Sequence, residues 1–498
     1  MSLLRTELAQ WRAHPLRELL AGAVATFALI PEVIAFSFVA GVDPQVGLFA
    51  SFVLSIVIAV FGGRPAMITA AAGSVALVAA PLVSQYGLPY LFAAGLLAGV
   101  VQVLFGVLRL GVLMRFVSSS VRTGFVNALA ILIFAAQLPH LDNANGATWA
   151  MLALGLAVIY GLPRLPLPGV KVIPSPLICI AVLSVLAAVM DLPLRTVADL
   201  GQLPGALPQW LGLPQVPWEL ETLRIIAMPA LAIAMVGLLE SLMTARVVDE
   251  LTDTPSPKNR ESAGLGLANI SASLFGGIAG CGMIGQTVSN VKYGGRGRLS
   301  TLFAGVFLLV LMVALKPWVS QVPVVALVAI MVMVSVATFD WRSLRALALH
   351  PRLSGVVMLA TVAVTLLTHN LAAGVGVGVL LSGVFFALKV ARLLKVEQAD
   401  DADGVRRYRV SGQVFFASAD AFIDAFDPRA LPGNMVEITL ADARLWDITA
   451  VAALDTVVSR FRHHGIKVRV HGMDRHSRGL LRRVRREADL EDYGLEAG

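Results

Sequence analysis

The sequence predicts an all-α polytopic membrane domain followed by a small soluble α/β domain, and three observations carry that prediction. Of 498 residues, 57% are hydrophobic and 14% charged, with a mean hydropathy of +0.79, so most of the chain cannot form a water-soluble globule. Runs such as Leu19 to Ala40, Leu91 to Leu108, Ile225 to Met243, Thr301 to Leu315 and Leu371 to Leu388 meet or approach the roughly 17 to 25 residues that a spanning helix needs. After Lys395 the composition changes: residues 396–498 hold 15 Lys/Arg and 17 Asp/Glu, which leaves 24 and 15 for residues 1–395. The basic excess belongs to the membrane part, where it reflects topology and not nucleic-acid binding.

Taken in order, the charged start from Arg5 to Arg17 feeds a full-length apolar run with no small-residue cleavage site before it, so no cleaved signal is expected. Apolar runs between polar breaks give about fourteen candidate segments. Basic residues fall in every second gap: Arg5, Arg12 and Arg17, then Arg64, then Arg109, Arg115 and Arg122, then Arg164 and Lys171. The alternation continues with Arg246, Lys258 and Arg260, then Lys292, Arg296 and Arg298, then Arg342, Arg345 and Arg352, and finally Lys389, Arg392 and Lys395. Gaps around Gln85, His140, Gly280 and His369 are nearly free of Lys and Arg, and Arg195, Arg224 and Lys316 break the pattern. The positive-inside rule then puts both ends of the chain in the cytoplasm. It also requires the weak segments Met67 to Ser84 and Met283 to Tyr293 to count as crossings.

Those two weak segments share a lead-in. Phe61-Gly62-Gly63 precedes RPAMITAAAGSVA, and Phe275-Gly276-Gly277 precedes IAGCGMIGQTVSN, each as the third segment of a half. An odd number of spans per half sets the halves in opposite orientation, the arrangement of inverted-repeat transporters, whose interrupted segments mark the substrate site. Non-helical backbone at membrane depth is tolerated only under protein cover or along a cavity. Two half-helices starting near the midplane would aim free N–H groups and positive dipole ends at one spot, which favours an anion. Ser74, Gln286 and Thr287 would add hydrogen bonds without a compensating charge. The competing reading is that these small residues serve close helix packing.

Glu32 and Glu240 are the acids most clearly embedded in apolar runs, each in the first segment of its half. A buried carboxylate is costly, so intramembrane acids are functional candidates. Glu240 is the first candidate for a proton that crosses with the substrate, Glu32 the second; for Glu32, beside Pro31, a cavity-facing residue that does not titrate is the alternative. Phe36, one turn after Glu32, is either an aromatic wall of the site or ordinary core. Arg246 and Glu261 flank the polar link DELTDTPSPKNRE and are expected at the cytoplasmic surface in solvated or structural roles. Cys179 and Cys281 read as small core residues. They offer no disulfide framework or metal cluster. No phosphate-binding glycine loop, zinc spacing or Ser-His-Asp set is evident, so neither enzymatic chemistry nor a cofactor is expected.

LLAGAVATFALIPEVIAFSFVAGVDPQVGLFAS, ESLMTARVVDELTDTPSPKNRESAGLGLANISASLFGG and the C-terminal tail together resemble the SulP sulfate-permease family of anion transporters. The similarity covers nearly the whole chain. It implies fourteen spans in two inverted repeats of seven, the fold shared with uracil permeases, in which a core domain (segments 1 to 4 and 8 to 11) carries substrate against a gate domain (5 to 7 and 12 to 14). On this resemblance the anion would lie among Glu32 and Phe36 of the first segment, Ala71, Ala72 and Gly73 of the third, and Gly285, Gln286 and Thr287 of the tenth. The chain departs from the family where Gln is common at the place of Glu32, Gly-Pro at Thr69-Ala70 and Ser-Arg-Ser at Gly285-Gln286-Thr287. Loss of that arginine and gain of Glu32 favour proton-coupled uptake over simple exchange.

Residues 404–490 alternate short apolar strands with amphipathic helices, a small α/β pattern. The tail resembles a STAS domain, in which Asp447 to Ala450 occupies the loop where related bacterial proteins carry a phosphorylatable hydroxyl. Thr449 is the aligned residue, with a helix N-cap as the stronger reading and phosphorylation as the other. The run Arg482-Arg483-Val484-Arg485-Arg486 reads as a solvated helix face, with contact to anionic lipid the alternative.

These readings divide the chain into a transport domain, 1–395, with repeats 1–215 and 222–395, and a cytoplasmic STAS domain, 404–490. The expected function is secondary active, proton-coupled symport of a small anion (sulfate, bicarbonate or a dicarboxylate such as fumarate) across a bacterial inner membrane. Family resemblance adds a homodimer. The alternatives are an anion exchanger, a nucleobase permease of the same fold, and an anion sensor with STAS output.

Overall fold

The computed structural model describes residues 14–142, 144–164, 174–199, 201, 203, 207–349, 352–400, 405–428 and 435–484. Arg5, Arg12, Lys171, Arg485 and Arg486 lie outside them. The chain divides into two compact units, Met1–Val379 and Leu380–Gly498. In the first half the helices run α1 (Pro15–Val39), α2 (Pro44–Phe61), α3 (Gly73–Tyr86), α4 (Leu88–Val107), α5 (Ser119–Ala135), α6 (Gly146–Gly161) and α7 (Ser175–Val189), with strand β1 (Thr69–Ala71) just before α3. Proline stands in the first turn of α1, α2, α4 and α7, where its fixed φ suits helix initiation and its missing N–H costs nothing.

The same order then recurs. It runs α8 (Leu220–Thr252), α9 (Lys258–Leu274), strand β2 (Gly280–Gly282) leading into α10 (Ile284–Lys292), α11 (Arg298–Ala314), α12 (Val324–Thr338), the pair α13 (Arg342–Leu349) and α14 (Arg352–Thr368), and α15 (Leu371–Ala391). Eight of the described helices are long and apolar enough to cross a membrane, and α3, α7, α11 and α14 are shorter apolar helices. The two weak segments of the sequence are thus built alike, as a three-residue strand followed by a helix.

Packing sorts the helices into two groups. In one, α1 to α4 and α8 to α11 pack on one another; in the other, α5 packs on α12 and α14, and α6 on α7 and α12. Backbones of α4 and α9 come together at Gly99 and Gly266, where a Cβ on either would strike the other's carbonyl oxygen. The groups meet where α1 faces α7 and α12 and where α3 faces α5. A small cavity of about 90 Å³ at the first of these junctions is walled by apolar side chains, among them Phe27, Ile34, Leu177, Leu311 and Leu327.

At the centre of the first group β1 and β2 pair antiparallel, Thr69 with Gly282, Ala70 with Cys281 and Ala71 with Gly280. Two buried strands leave outer edges that must find partners in the absence of water. Side chains supply them. Ser55 Oγ donates to Thr69 O (2.9 Å) and Ser51 Oγ accepts from Ala71 N (3.1 Å) on the β1 edge. On the β2 edge Ser241 Oγ accepts from Gly282 N (2.8 Å), Thr244 Oγ1 donates to Gly282 O (2.9 Å), and Asn269 both accepts from Gly280 N (2.8 Å) and donates to Gly280 O (3.2 Å). Asn269 is itself held by Gln102 Oε1 at 2.8 Å.

The second unit carries the four-stranded sheet β3 (Lys395–Asp400), β4 (Val405–Val414), β5 (Met435–Leu445) and β6 (Lys467–His471) in that order, the first pair antiparallel and the others parallel. Helices α16 (Ala419–Asp424), α17 (Ile448–His463) and α18 (Arg475–Val484) complete it around a core that includes Tyr408, Ile438, Leu454 and Phe461. Strand β3 had no apolar signature in the sequence because Lys395, Glu397 and Asp400 leave Val396 as its one large apolar residue, which suffices for an edge strand. Thr449 is not the cap of α17. That role falls to Asp447, whose Oδ1 accepts from Ala450 N (2.9 Å) while Oδ2 accepts from Phe416 N (2.9 Å); Thr449 is exposed in the first turn.

Candidate functional site

Helices α3 and α10 begin inside the protein, directly after the paired strands. Neither has a side-chain cap on its N-terminal residue, Ala72 or Met283. The first intrahelical bonds are Ala76 N to Ala72 O (2.9 Å) and Thr287 N to Met283 O (3.1 Å). The N–H groups of Gly73, Ser74 and Val75, and of Ile284, Gly285 and Gln286, therefore have no acceptor in their own helices. Each start carries the positive end of a helix dipole, and both stand beside the β1–β2 crossing.

The surroundings of the two starts differ. At α3, the Phe36 ring lies on Gly73, so close that a Cβ there would meet a ring carbon at 2.6 Å, and Phe36 is 3% exposed. Ser74 is buried, and its hydroxyl donates to Glu240 Oε2. Cys281 donates its thiol to the same oxygen at 2.5 Å, so one carboxylate of α8 is gripped by both strand-helix segments. At α10, nothing lies within 4 Å of a Cβ built on Gly285, and the Gln286 amide reaches the Glu32 carboxylate. Glu32 and Glu240 are both partly exposed, and neither has an ion-pair partner among the described residues. An electropositive helix start with open space and a neutral amide can receive an oxyanion. A carboxylate beside it must lose its charge or move before a second negative charge can enter.

The structure brings Glu32, Phe36, Gly73, Ser74, Glu240 and Gln286 together, with Cys281 added. Thr287 takes a different role from the one expected: it is fully buried, its N–H is spent on Met283 O, and its hydroxyl accepts from Ile68 N at 2.9 Å. It bolts α10 to the residue before β1. Ala71 and Ala72 are likewise closed in, at 0% and 1% exposure. Glu261 is also not at the surface. It is fully buried and its Oε2 accepts from Gly63 N (2.7 Å) and Arg64 N (2.8 Å), holding the turn that follows the first Phe-Gly-Gly. Arg64 in turn reaches Asp249 Oδ1 at 3.2 Å and Thr252 Oγ1 at 2.7 Å, and Lys258 reaches Asp249 Oδ2 at 2.5 Å, all inside the polar link. Arg298 donates to Ala59 O (3.0 Å) and Gly62 O (2.7 Å), the free carbonyls at the end of α2. Sequence reasoning missed Asn269, Gln102, Ser241 and Cys281; their one signal was a polar or sulfur atom at an otherwise apolar, membrane-depth position.

A cavity of about 660 Å³ opens beside this centre. Its wall includes Arg109, Arg122, Thr123, Arg246, Glu250 and Asp340, and it reaches Ile284, the first residue of α10. Two repeats of one element order, interrupted segments crossing at uncapped helix starts and a cavity leading to one of them define the chain as a multi-pass transporter for anions. Comparison with known proteins gives the family. The sulfate permease family matches residues 16–149 and 139–361, and the STAS domain matches 397–488. YbaR of Bacillus subtilis (strain 168), named as a candidate sulfate transporter, is 48% identical over 475 residues, covering 95% of this chain and 98% of its own. The bicarbonate transporter BicA of Picosynechococcus sp. is 29% identical over 422 residues, covering 78% and 73%. In fold, the transmembrane domain of a cyanobacterial BicA superposes with a TM-score of 0.64 at 24% identity over 74% of this chain and 98% of that one. SLC26A9 superposes at 0.81 with 16% identity over 98% and 88%. The chain belongs to the sulfate permease family, whose members are transporters and not enzymes, and it carries a C-terminal STAS domain.

Proposed function

We propose that the protein takes up a small anion together with a proton, by movement of the α1–α4 and α8–α11 group against the α5–α7 and α12–α15 group. The observation that carries this reading is the pairing of Glu32 with Gln286 at the open start of α10, where a family arginine would otherwise supply charge. A proton on Glu32 or Glu240 removes a negative charge from the site as the anion arrives, so anion and proton enter together. Sulfate and bicarbonate stand as substrates in the names of the relatives, and a dicarboxylate such as fumarate fits the same backbone-lined site. The reading also sets the protein in a bacterial inner membrane with both ends cytoplasmic, working as a homodimer.

The test is uptake of labelled sulfate, bicarbonate and fumarate into proteoliposomes, with and without an inward proton gradient. Gradient-stimulated accumulation of one of them is the expected result, with stimulation lost in Glu240→Gln. Equal uptake with and without the gradient would rule out symport. A Glu240→Gln variant that kept full stimulation would move the proton to Glu32.

A further inference from the structure

We propose that the 660 Å³ cavity holds a second, outer site for a small oxyanion, bridged between Arg122 of α5 and Arg246 of α8. This rests on the reading that the chain moves such anions. Both arginines line the cavity, one from each packing group. Arg122 has no carboxylate partner among the described residues; its one hydrogen bond is a long 3.4 Å donation to Val117 O. It also stands in the first turn of α5, where the helix dipole opposes a cation, so fold stability does not account for it. Arg246 commits Nε to Glu250 Oε1 at 3.1 Å, and among the described residues its Nη donors have no partner.

The other charges of the wall do not cancel this pair. Lys258 is tied to Asp249 at 2.5 Å, and Arg109 adds a further cation with no carboxylate partner among the described residues. Glu250, paired with Arg246, and Asp340, whose Oδ1 accepts from Arg342 N at 3.1 Å, are the opposing charges, set against the four cations Arg109, Arg122, Arg246 and Lys258 of the same wall. Two guanidiniums across a cavity repel each other, and an oxyanion with several oxygens turns that repulsion into two charge-assisted hydrogen-bonded contacts. Since the arginines belong to different groups, the site is complete only while α5 and α8 share this cavity. An anion held there is staged within reach of Ile284 and favours this arrangement of the groups.

The experiment is thiol labelling of the full-length chain carrying Thr123→Cys, a cavity-wall position, with Val126→Cys as the second variant should the first fail to fold. Cys179 and Cys281 are fully buried and give low background. Anionic and cationic methanethiosulfonate reagents of similar size are compared, with and without sulfate. The anionic reagent is expected to react about tenfold faster, as electrostatic focusing in a cleft requires. Sulfate should slow it, and Arg122→Gln or Arg246→Gln should remove both effects. Equal rates for the two reagents, or a preference that survives both substitutions, would overturn the site. Labelling needs no turnover, so a protein that labels as expected and transports nothing would refute the transport reading and leave this one standing.

Discussion

The two helix starts at the centre of the molecule grow from the same lead-in, Phe-Gly-Gly, and share a strand-then-helix build, yet they end in different chemical surroundings. At α3 the aromatic ring of Phe36 closes over Gly73 and Ser74 is spent on Glu240. At α10 Gly285 faces open space and Gln286 is turned to Glu32. The repeat therefore supplies two equivalent scaffolds, and only one is left accessible. What separates them is not the half-helix itself but what α1 and α8 lay across it: the Phe36 ring and the Glu240 carboxylate at α3, the Glu32 carboxylate at α10.

Substitutions can break or sharpen the comparison. The largest effect is expected from Gly280→Ala, whose Cβ would run into the Ala70 carbonyl and force the crossing strands apart. A loss of about 3 kcal/mol or more is expected, seen as failure to obtain monodisperse protein in detergent. Next, Gly73→Ala drives a methyl into the Phe36 ring and should cost about 1 to 3 kcal/mol, read as a drop in Tm, with Phe36→Leu in the same chain recovering most of it. Cys281→Ala removes one of the two donors on Glu240 Oε2, an effect of about 1 kcal/mol, and Ser74→Ala should match it. The smallest stability change belongs to Gly285→Ala, within about 0.5 kcal/mol because nothing stands in the way. Its effect should fall on KM for the anion instead. Equal Tm losses for the Gly73 and Gly285 variants would end the distinction between a sealed and an open start.

Much of this was legible before any coordinates. Hydropathy gave the apolar helices, and the repeated Phe61-Gly62-Gly63 and Phe275-Gly276-Gly277 marked the segments that depart from helix. Glu32, Phe36, Gly73, Ser74, Glu240 and Gln286 meet around one crossing, as residues singled out at membrane depth. Thr287 was read as a substrate-facing group, whereas for Glu261 the structural role was anticipated and only its surface position was not. A polar side chain in an apolar run signals that some partner exists, but not whether that partner is a ligand or the protein's own backbone. For Thr287 the partner is the Ile68 amide, and for Glu261 the amides of Gly63 and Arg64. Asn269 and Gln102 were passed over on the same grounds, because the Gly280 peptide they secure is distant in sequence from Gln102 and lies in another element from both.

By itself the sequence determined the class of protein: a chain this apolar must satisfy its backbone in helices, and its glycine-broken repeats can exist at membrane depth only where they cross or line a cavity. Its tail, with alternating apolar positions and balanced charge, had to form a separate α/β unit. Tertiary structure alone decided which helix start is open, which acid is gripped by both halves, and which hydroxyls hold strands instead of facing substrate. Those outcomes depend on contacts between residues far apart in the chain, Ser74 with Glu240 (166 positions) and Ile68 with Thr287 (219 positions) among them, and a local pattern carries no information about which distant group will fill the space it leaves.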